Sequence, residues 1–327
     1  MLSYIGRRIL GMIPTLVIVS IVTFIIIQLP PGDFFTTRAI EIALSGGGQD
    51  KETVEKMTER YGLDQPWYVQ YWRWVSGFPR GDFGYSLEWN SPVLPIVLGR
   101  MGYTIQVGGL SLLFMMGVAI PIGIYSATHQ YSFGDHALSL VGFLGLSLPG
   151  FLLALLWMFF GIIVLRIPVG GAISLKMADQ PWSLAKSLDY LNHLWPPAVI
   201  LGLASTAQLQ RIMRGNLLDV MGQQYITTAR AKGLKERKVV SKYGVRVAIN
   251  PLISVMAMEV PKIISESTIV GIVMSVPTTG PLLLRSLLTQ DMYLAGTFLL
   301  SMTLLLMISN LLADIALAWA DPRIVYT

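Results

Sequence analysis

Six long apolar runs, at about residues 9–29, 101–127, 137–165, 196–215, 247–275 and 293–319, decide what this chain can fold into. A bilayer core takes roughly 20 mostly apolar residues per helix, and every backbone N–H and C=O inside it has to be satisfied within the protein. The runs are continuous rather than alternating, so they read as helices and not as strands of a closed barrel. Only 13% of the 327 residues are charged, against about a quarter in a soluble domain. The expected fold is an all-α membrane protein with six transmembrane helices.

Arg7 and Arg8 precede the first run as they would in a signal peptide. The run is too long for a signal's apolar segment, and PPGDFF offers no small-residue cleavage site, so it is expected to stay as an anchor. Orientation follows from Lys and Arg near the ends of the runs. With the N-terminus cytoplasmic, six crossings place the segment from Arg211 to Arg246 inside, and it carries nine of the 24 basic residues. The 31–100 loop then lies outside, with seven basic and nine acidic residues. Both termini are expected in the cytoplasm, and the net charge of +5 is local in origin, so nucleic acid is not an expected partner. The absence of cysteine excludes disulfides and thiolate metal sites.

Three segments result: 1–30 with the first helix, an extracytoplasmic loop over 31–100, and a core over 101–327 with the other five transmembrane helices, which includes a cytoplasmic segment at 216–246. The loop is too long for a passive connection. Gly46 to Gly48 suggest a flexible tip, and DKETVEKMTERYG a short helix with Asp50 as N-cap and Gly62 as stop. Trp67, Tyr68, Tyr71, Trp72 and Trp74 crowd together after it, a composition that favours the boundary between water and lipid. Proline and glycine inside runs, at Pro14, Pro121, Pro149, Gly150 and Pro261, require those helices to pack on protein or face a wet cavity. The chain shows no internal repeat that would complete a two-fold pore, which points to a partner subunit.

Polar constellations are few. Glu259, Lys262 and Glu266 share one helical face at i, i+3 and i+7, widened by Ser265, Ser267 and Thr268. Ionisable groups at membrane depth turn toward a pathway or a partner charge. Two readings stay open: a Glu–Lys pair that stitches the bundle, or a lining for a polar solute, with Lys262 and Glu266 foremost. Asp314 is read as structural. His129, Asp135 and His136 resemble a partial metal set, but no fourth ligand is evident, and the simpler reading is a polar interfacial turn. GLSLPG at 145–150 has the G-x-S form of membrane serine proteases, yet no histidine lies well inside a run to act as the base for Ser147. There is no G-x-x-x-x-G-K-[ST] sequence, so any ATP hydrolysis that drives transport belongs to another polypeptide.

The cytoplasmic segment reads as a helix over 217–228, a left-handed stop at Gly233, and a second short helix, LKERKVVSKY, before Asn250 and Pro251 open the fifth run. Small side chains at Thr227, Thr228, Ala229 and Ala231 leave the backbone approachable, and Arg230, Lys232 and Lys235 surround them with positive charge. Two partners suit such a surface, an acidic groove on a protein or anionic headgroups.

YITTARAKGL, from Tyr225 to Leu234, resembles the "EAA" loop of ATP-binding cassette importer permeases, in the form used by the dipeptide, oligopeptide and nickel permease family. Thr227, Thr228 and Ala229 match its small residues and Gly233 its glycine, while Thr227 replaces the opening acid. RRILGMIPTLVIVSIVTFIIIQLPPGD, ending at Pro31, Gly32 and Asp33, resembles that family's N-terminal signature. RYGLDQPWYVQYWRWV with RGDFGYS resembles its external-loop signature. LADIALAWADPRI, with Asp321, Pro322 and Arg323, resembles its C-terminal one. The chain departs from the family at MSVPTTGPLL, where Thr278 and Thr279 stand in a glycine region, and at 31–50.

The resemblance implies a heterodimer of two related permeases in a prokaryotic cell membrane, two cytoplasmic ATPase subunits that hold ATP and Mg, and an external solute-binding protein, with no cofactor on this chain. Residues from about Gln223 to Leu234 would be the coupling helix in the ATPase groove. Oligopeptides are the expected cargo, with oligosaccharides the alternative. From a different class, a stand-alone proton-coupled transporter would use Glu259, Lys262 and Glu266 as its relay.

Overall fold

The computed structural model describes residues 2–29, 62, 65–167 and 169–320. The triple glycine, the expected 50–62 helix and the Asp321–Arg323 motif lie outside the described residues, except that Gly62 has a left-handed φ of +68°.

Among the described residues the regular structure is helical apart from one hairpin of two-residue strands. In chain order it runs α1 (Leu2–Gln28), α2 (Trp67–Gly77), β1 (Tyr85–Ser86), β2 (Ser91–Pro92), α3 (Val93–Thr128), α4 (Phe133–Ser147), α5 (Gly150–Phe160), α6 (Leu175–Ala178), α7 (Leu184–Met221) and α8 (Gln224–Ala231). It continues with α9 (Glu236–Lys238), α10 (Arg246–Ala248), α11 (Asn250–Val273), α12 (Thr279–Leu288) and α13 (Met292–Ala320). The strands pair antiparallel, Tyr85 with Pro92 and Ser86 with Ser91.

Two compact units divide the chain, residues 1–103 with 277–307 and residues 104–276 with 308–327. In the first, Phe24 and Ile27 of α1 pack with Trp74 of α2 and with Met292, Ala295 and Leu300 of α13. A second apolar cluster joins Val93 and Val97 to Leu282, Leu294 and Phe298. Asp291, fully buried just before α13, accepts from the Ser86 hydroxyl at 2.6 Å, the Glu88 N–H at 3.1 Å and the Leu294 N–H at 3.3 Å. One carboxylate thus caps α13 and ties the hairpin to it. Arg285 of α12 pairs with Glu88 across the same junction.

The second unit is organised around α7. Gly145 of α4 comes so close to α7 that an added Cβ would sit 2.7 Å from Leu203 Cγ, the close approach that small residues permit between membrane helices. Leu201, Ile200 and Leu194 of α7 pack with Ala154 of α5 and with Ile263 and Val270 of α11. Nearer the C-terminal end of α7, Leu209, Met213 and Leu217 meet Met115 and Ala119 of α3 and Leu252 of α11.

Among the described residues, α1, α3 and α13 are each long and apolar enough to cross a membrane; two bent pairs, α4 with α5 and the Glu236–Ala248 stretch with α11, raise the candidates to five. Two expected crossings therefore differ. The 137–165 run breaks at Leu148 and Pro149, with a bend of 102° between the halves, because proline offers no N–H and turns the residue before it away from helix; Leu148 is extended. The 196–215 run lies within α7, which is 38 residues long, but Ser205, Thr206, Gln208, Gln210, Arg211 and Arg214 dilute its apolar character.

Candidate functional site

The basic segment after α7 does not continue that helix. Gly222 caps α7, Gln223 is extended, and the chain restarts as α8. The expected helix over 217–228 is therefore two helices with a break inside it. Gly233 then takes φ +73° with open space around it, the left-handed stop the sequence suggests. The return path is α9, a π-helical turn over Val239–Val245, and α10, bent by 43° into α11.

Side-chain placement sorts the segment. Ile226 (0% exposed) and Ala229 (5%) face inward and pack with Val239, flanked by Met221, Leu234 and Tyr243. Ala229, expected on the approachable face, is instead part of the small core that holds the hairpin together, because it lies at i+3 from Ile226 on the apolar side. Tyr225, Thr227, Thr228, Arg230, Ala231, Lys232 and Gly233 are exposed, and Leu234 is half-buried. Arg230 reaches across the turn and donates to Glu236, with Nε to Oε2 at 3.1 Å and a terminal nitrogen to Oε1 at 2.6 Å. This bidentate bond holds the Glu236 carboxyl below the usual carboxylate range and raises the Arg230 guanidinium. The Arg230 charge is committed within the hairpin, which leaves Lys232 and Lys235 as the cations around the exposed face of α8.

The polar stripe on α11 divides as well. Glu259 is buried (6% exposed) and accepts a short hydrogen bond from Ser205 of α7. Lys262 Nζ lies 3.4 Å from both the Glu259 carboxylate and the Ser205 hydroxyl. These three groups stitch α7 to α11, as one of the two readings of the sequence has it. Ser265 is exposed and donates to the Pro261 carbonyl at 3.0 Å, and Glu266 is half-buried one turn beyond Lys262. Sequence reasoning on this stripe did not reach Ser205, whose only signal is a polar pair, Ser205–Thr206, within an apolar run.

The remaining polar candidates have local partners. Asp135, weighed as a metal ligand, pairs with Arg214 of α7 at 3.0 Å, and His129 stacks on Tyr125 at 4.6 Å. Among the described residues no three His, Asp or Glu side chains are close enough to hold a metal ion. Ser147 donates to the Phe143 carbonyl of its own helix at 2.7 Å.

The structure defines a helical membrane protein with a compact polar hairpin between α7 and α11, and the comparisons give its class. Residues 119–326 match the family model described as binding-protein-dependent transport system inner membrane component, and residues 1–108 match the N-terminal model of that component. The oligopeptide transport system permease protein AppB of Bacillus subtilis (strain 168) is 34% identical over 335 aligned residues, covering all of both chains. The glutathione transport system permease protein GsiC of Escherichia coli (strain K12) is 31% identical over 326, again covering both completely. An inward-facing structure of the MetNI methionine ABC transporter has the same fold, with a TM-score of 0.53 at 15% identity over 69% of this chain and 96% of that one. The chain belongs to the binding-protein-dependent transport system inner membrane component family. It is a translocation subunit of an ATP-binding cassette importer, and ATP hydrolysis lies in separate subunits.

Proposed function

We propose that this chain imports peptides across a prokaryotic inner membrane, paired with a second homologous permease and served by two ATPase subunits and an external solute-binding protein. Full-length similarity to an oligopeptide and a glutathione permease supports peptides as cargo. In this reading the chain crosses six times, with both termini cytoplasmic. α7 is one crossing, the bent pair of α4 and α5 another, and α11 a third, with the Glu236–Ala248 stretch leading into it from the hairpin. The basic content of 211–246 puts the hairpin inside.

The observation that carries the mechanism is the separation of α8 from α7. A short helix with its apolar side locked onto its own hairpin and its polar side outward is a rigid body that a neighbour can push. Tyr225, Thr227, Thr228, Ala231, Lys232 and Gly233 form the face that seats in an ATPase groove, while Ala229 and Leu234 back it from within. Closure of the ATPases moves α8, and the packed core beneath it passes the movement to α7 and α11. A change of state requires contacts that differ between the two states, and the docked face supplies them. Along the pathway, Ser265 and Glu266 are the groups of the α11 stripe that contact the solute, and Glu259 and Lys262 position the helix that carries them.

Thr228→Glu tests the docking assignment. The variant should insert and fold, yet lose most co-purification of the ATPase subunits; unchanged recovery of those subunits overturns the assignment. For cargo, cells carrying the full system should accumulate radiolabelled tri-alanine in an ATP-dependent manner and lose that uptake when this subunit is deleted. Loss of maltotriose uptake with tri-alanine uptake intact would move the substrate to oligosaccharides.

A further inference from the structure

Helix α2 carries an aromatic face that neither the hydrophobic cores nor the docking mechanism uses. At 100° per residue its surface divides into three sectors. The first is packed: Gln28 of α1 donates to Gln70 at 3.0 Å, Tyr71 and Ser20 share a hydrogen bond of 2.8 Å, and Phe24 stacks against Trp74 at 5.7 Å. The second holds Tyr68 and Trp72, which are 59% and 70% exposed. The third holds Arg73, which is exposed and lies about 100° round the helix from Trp72 and about 140° from Tyr68. A helix in bulk water gains nothing from a Trp and a Tyr side by side in solvent, and large exposed apolar surface marks an interaction site.

The position of α2 identifies what covers that surface. α1 has 27 residues, about 40 Å at 1.5 Å per residue, against a hydrocarbon core of about 30 Å. Its ends therefore reach the headgroup layer. The bonds and ring contacts of α2 to α1 fall between Ser20 and Gln28, and the Gln28–Gln70 pair puts uncharged polar groups where the apolar stretch stops. On the same stretch of α1, Ile21, Val22, Ile25 and Ile26 are exposed, so two packed elements both leave large apolar side chains uncovered at this level. Rings that combine an apolar body with one N–H or O–H settle in that layer.

We propose that α2 is an interfacial membrane helix, with Tyr68 and Trp72 seated among lipid headgroups and upper acyl chains and Arg73 turned to water. Through its grip on Gln28, Phe24 and Ser20 it fixes the depth of the end of α1. The occupant is lipid and not another protein.

The cysteine-free sequence makes a direct test possible. Trp72→Cys, Tyr68→Cys and Arg73→Cys are spin-labelled one at a time in the assembled transporter, reconstituted in phosphatidylethanolamine and phosphatidylglycerol vesicles, with the signal of the unsubstituted transporter subtracted. Labels at 68 and 72 should collide more with oxygen than with a water-soluble nickel chelate, and the label at 73 should show the reverse preference. Nickel access at 72 equal to that at 73 would place the face in water. Exclusion of both reagents at 68 and 72 would mean a protein covers it. Either result overturns the proposal.

Discussion

Thr228 and Ala229 are adjacent small residues with opposite surroundings, and their substitutions separate docking from folding. Ala229→Glu puts a carboxylate against Ile226 and Val239, and burying an unpaired charge costs on the order of 3 kcal/mol or more. Amide exchange across 222–246 should quicken in that variant and stay unchanged in Thr228→Glu, which isolates the surface effect. The Arg230–Glu236 pair gives a pH signature. Its carboxyl is depressed in the folded hairpin, so its contribution is present above the unfolded value near 4.3 and fades as pH falls through the lower folded value. Glu236→Gln should therefore speed exchange over 224–238 at pH 7, while the difference from the parent should vanish in strong acid. Of these features, the Gly233 stop was legible because a left-handed position calls for glycine. The burial of Ala229 was only faintly so, because an Ile226–Ala229 spacing in an eight-residue helix is too short a stripe to show which side is covered.

Helices were predictable by existence and not by their interruptions. Apolar periodicity and length mark α1, α3 and α13, which need no partner to be recognised. The restart at Gln223 depends on where the chain can turn back over α7, and the burial of Asp291 depends on a hairpin distant in sequence. Neither leaves a local pattern. The Asp291 junction is open to measurement. Asp291→Ala strips the acceptor from Ser86, Glu88 and Leu294, and each buried donor left unpaired costs roughly 1–3 kcal/mol. The thermal midpoint of the detergent-solubilised protein should fall clearly, and Asp291→Asn, which keeps one acceptor oxygen, should fall less. Equal midpoints for all three proteins would show that this carboxylate does not hold the hairpin to α13.

Across the whole molecule, the proposed mechanism sends a movement at the hairpin through the stitch between α7 and α11. Lys262→Met leaves the buried Glu259 without its cation, whereas Glu259→Gln with Lys262→Met removes both charges together. Glu259 is buried while Lys262 is partly exposed, and a buried carboxylate left without its cation costs more than removing both charges, so the double variant should express and assemble better than Lys262→Met alone; a strictly additive loss would show the two groups are not coupled. The sequence placed Glu259 and Lys262 on one face correctly. It could not reveal that their third partner lies 54 residues earlier, on another helix. The bend at Pro149 has a different consequence, one for biogenesis. Its halves run over Phe133–Ser147 and Gly150–Leu165, about 22 and 24 Å of helix, and neither matches a hydrocarbon core of about 30 Å alone. In the proposed six-crossing arrangement the pair therefore has to enter the membrane as one unit, and Gly145 and Ala154, both packed on α7, make that helix the clasp for it.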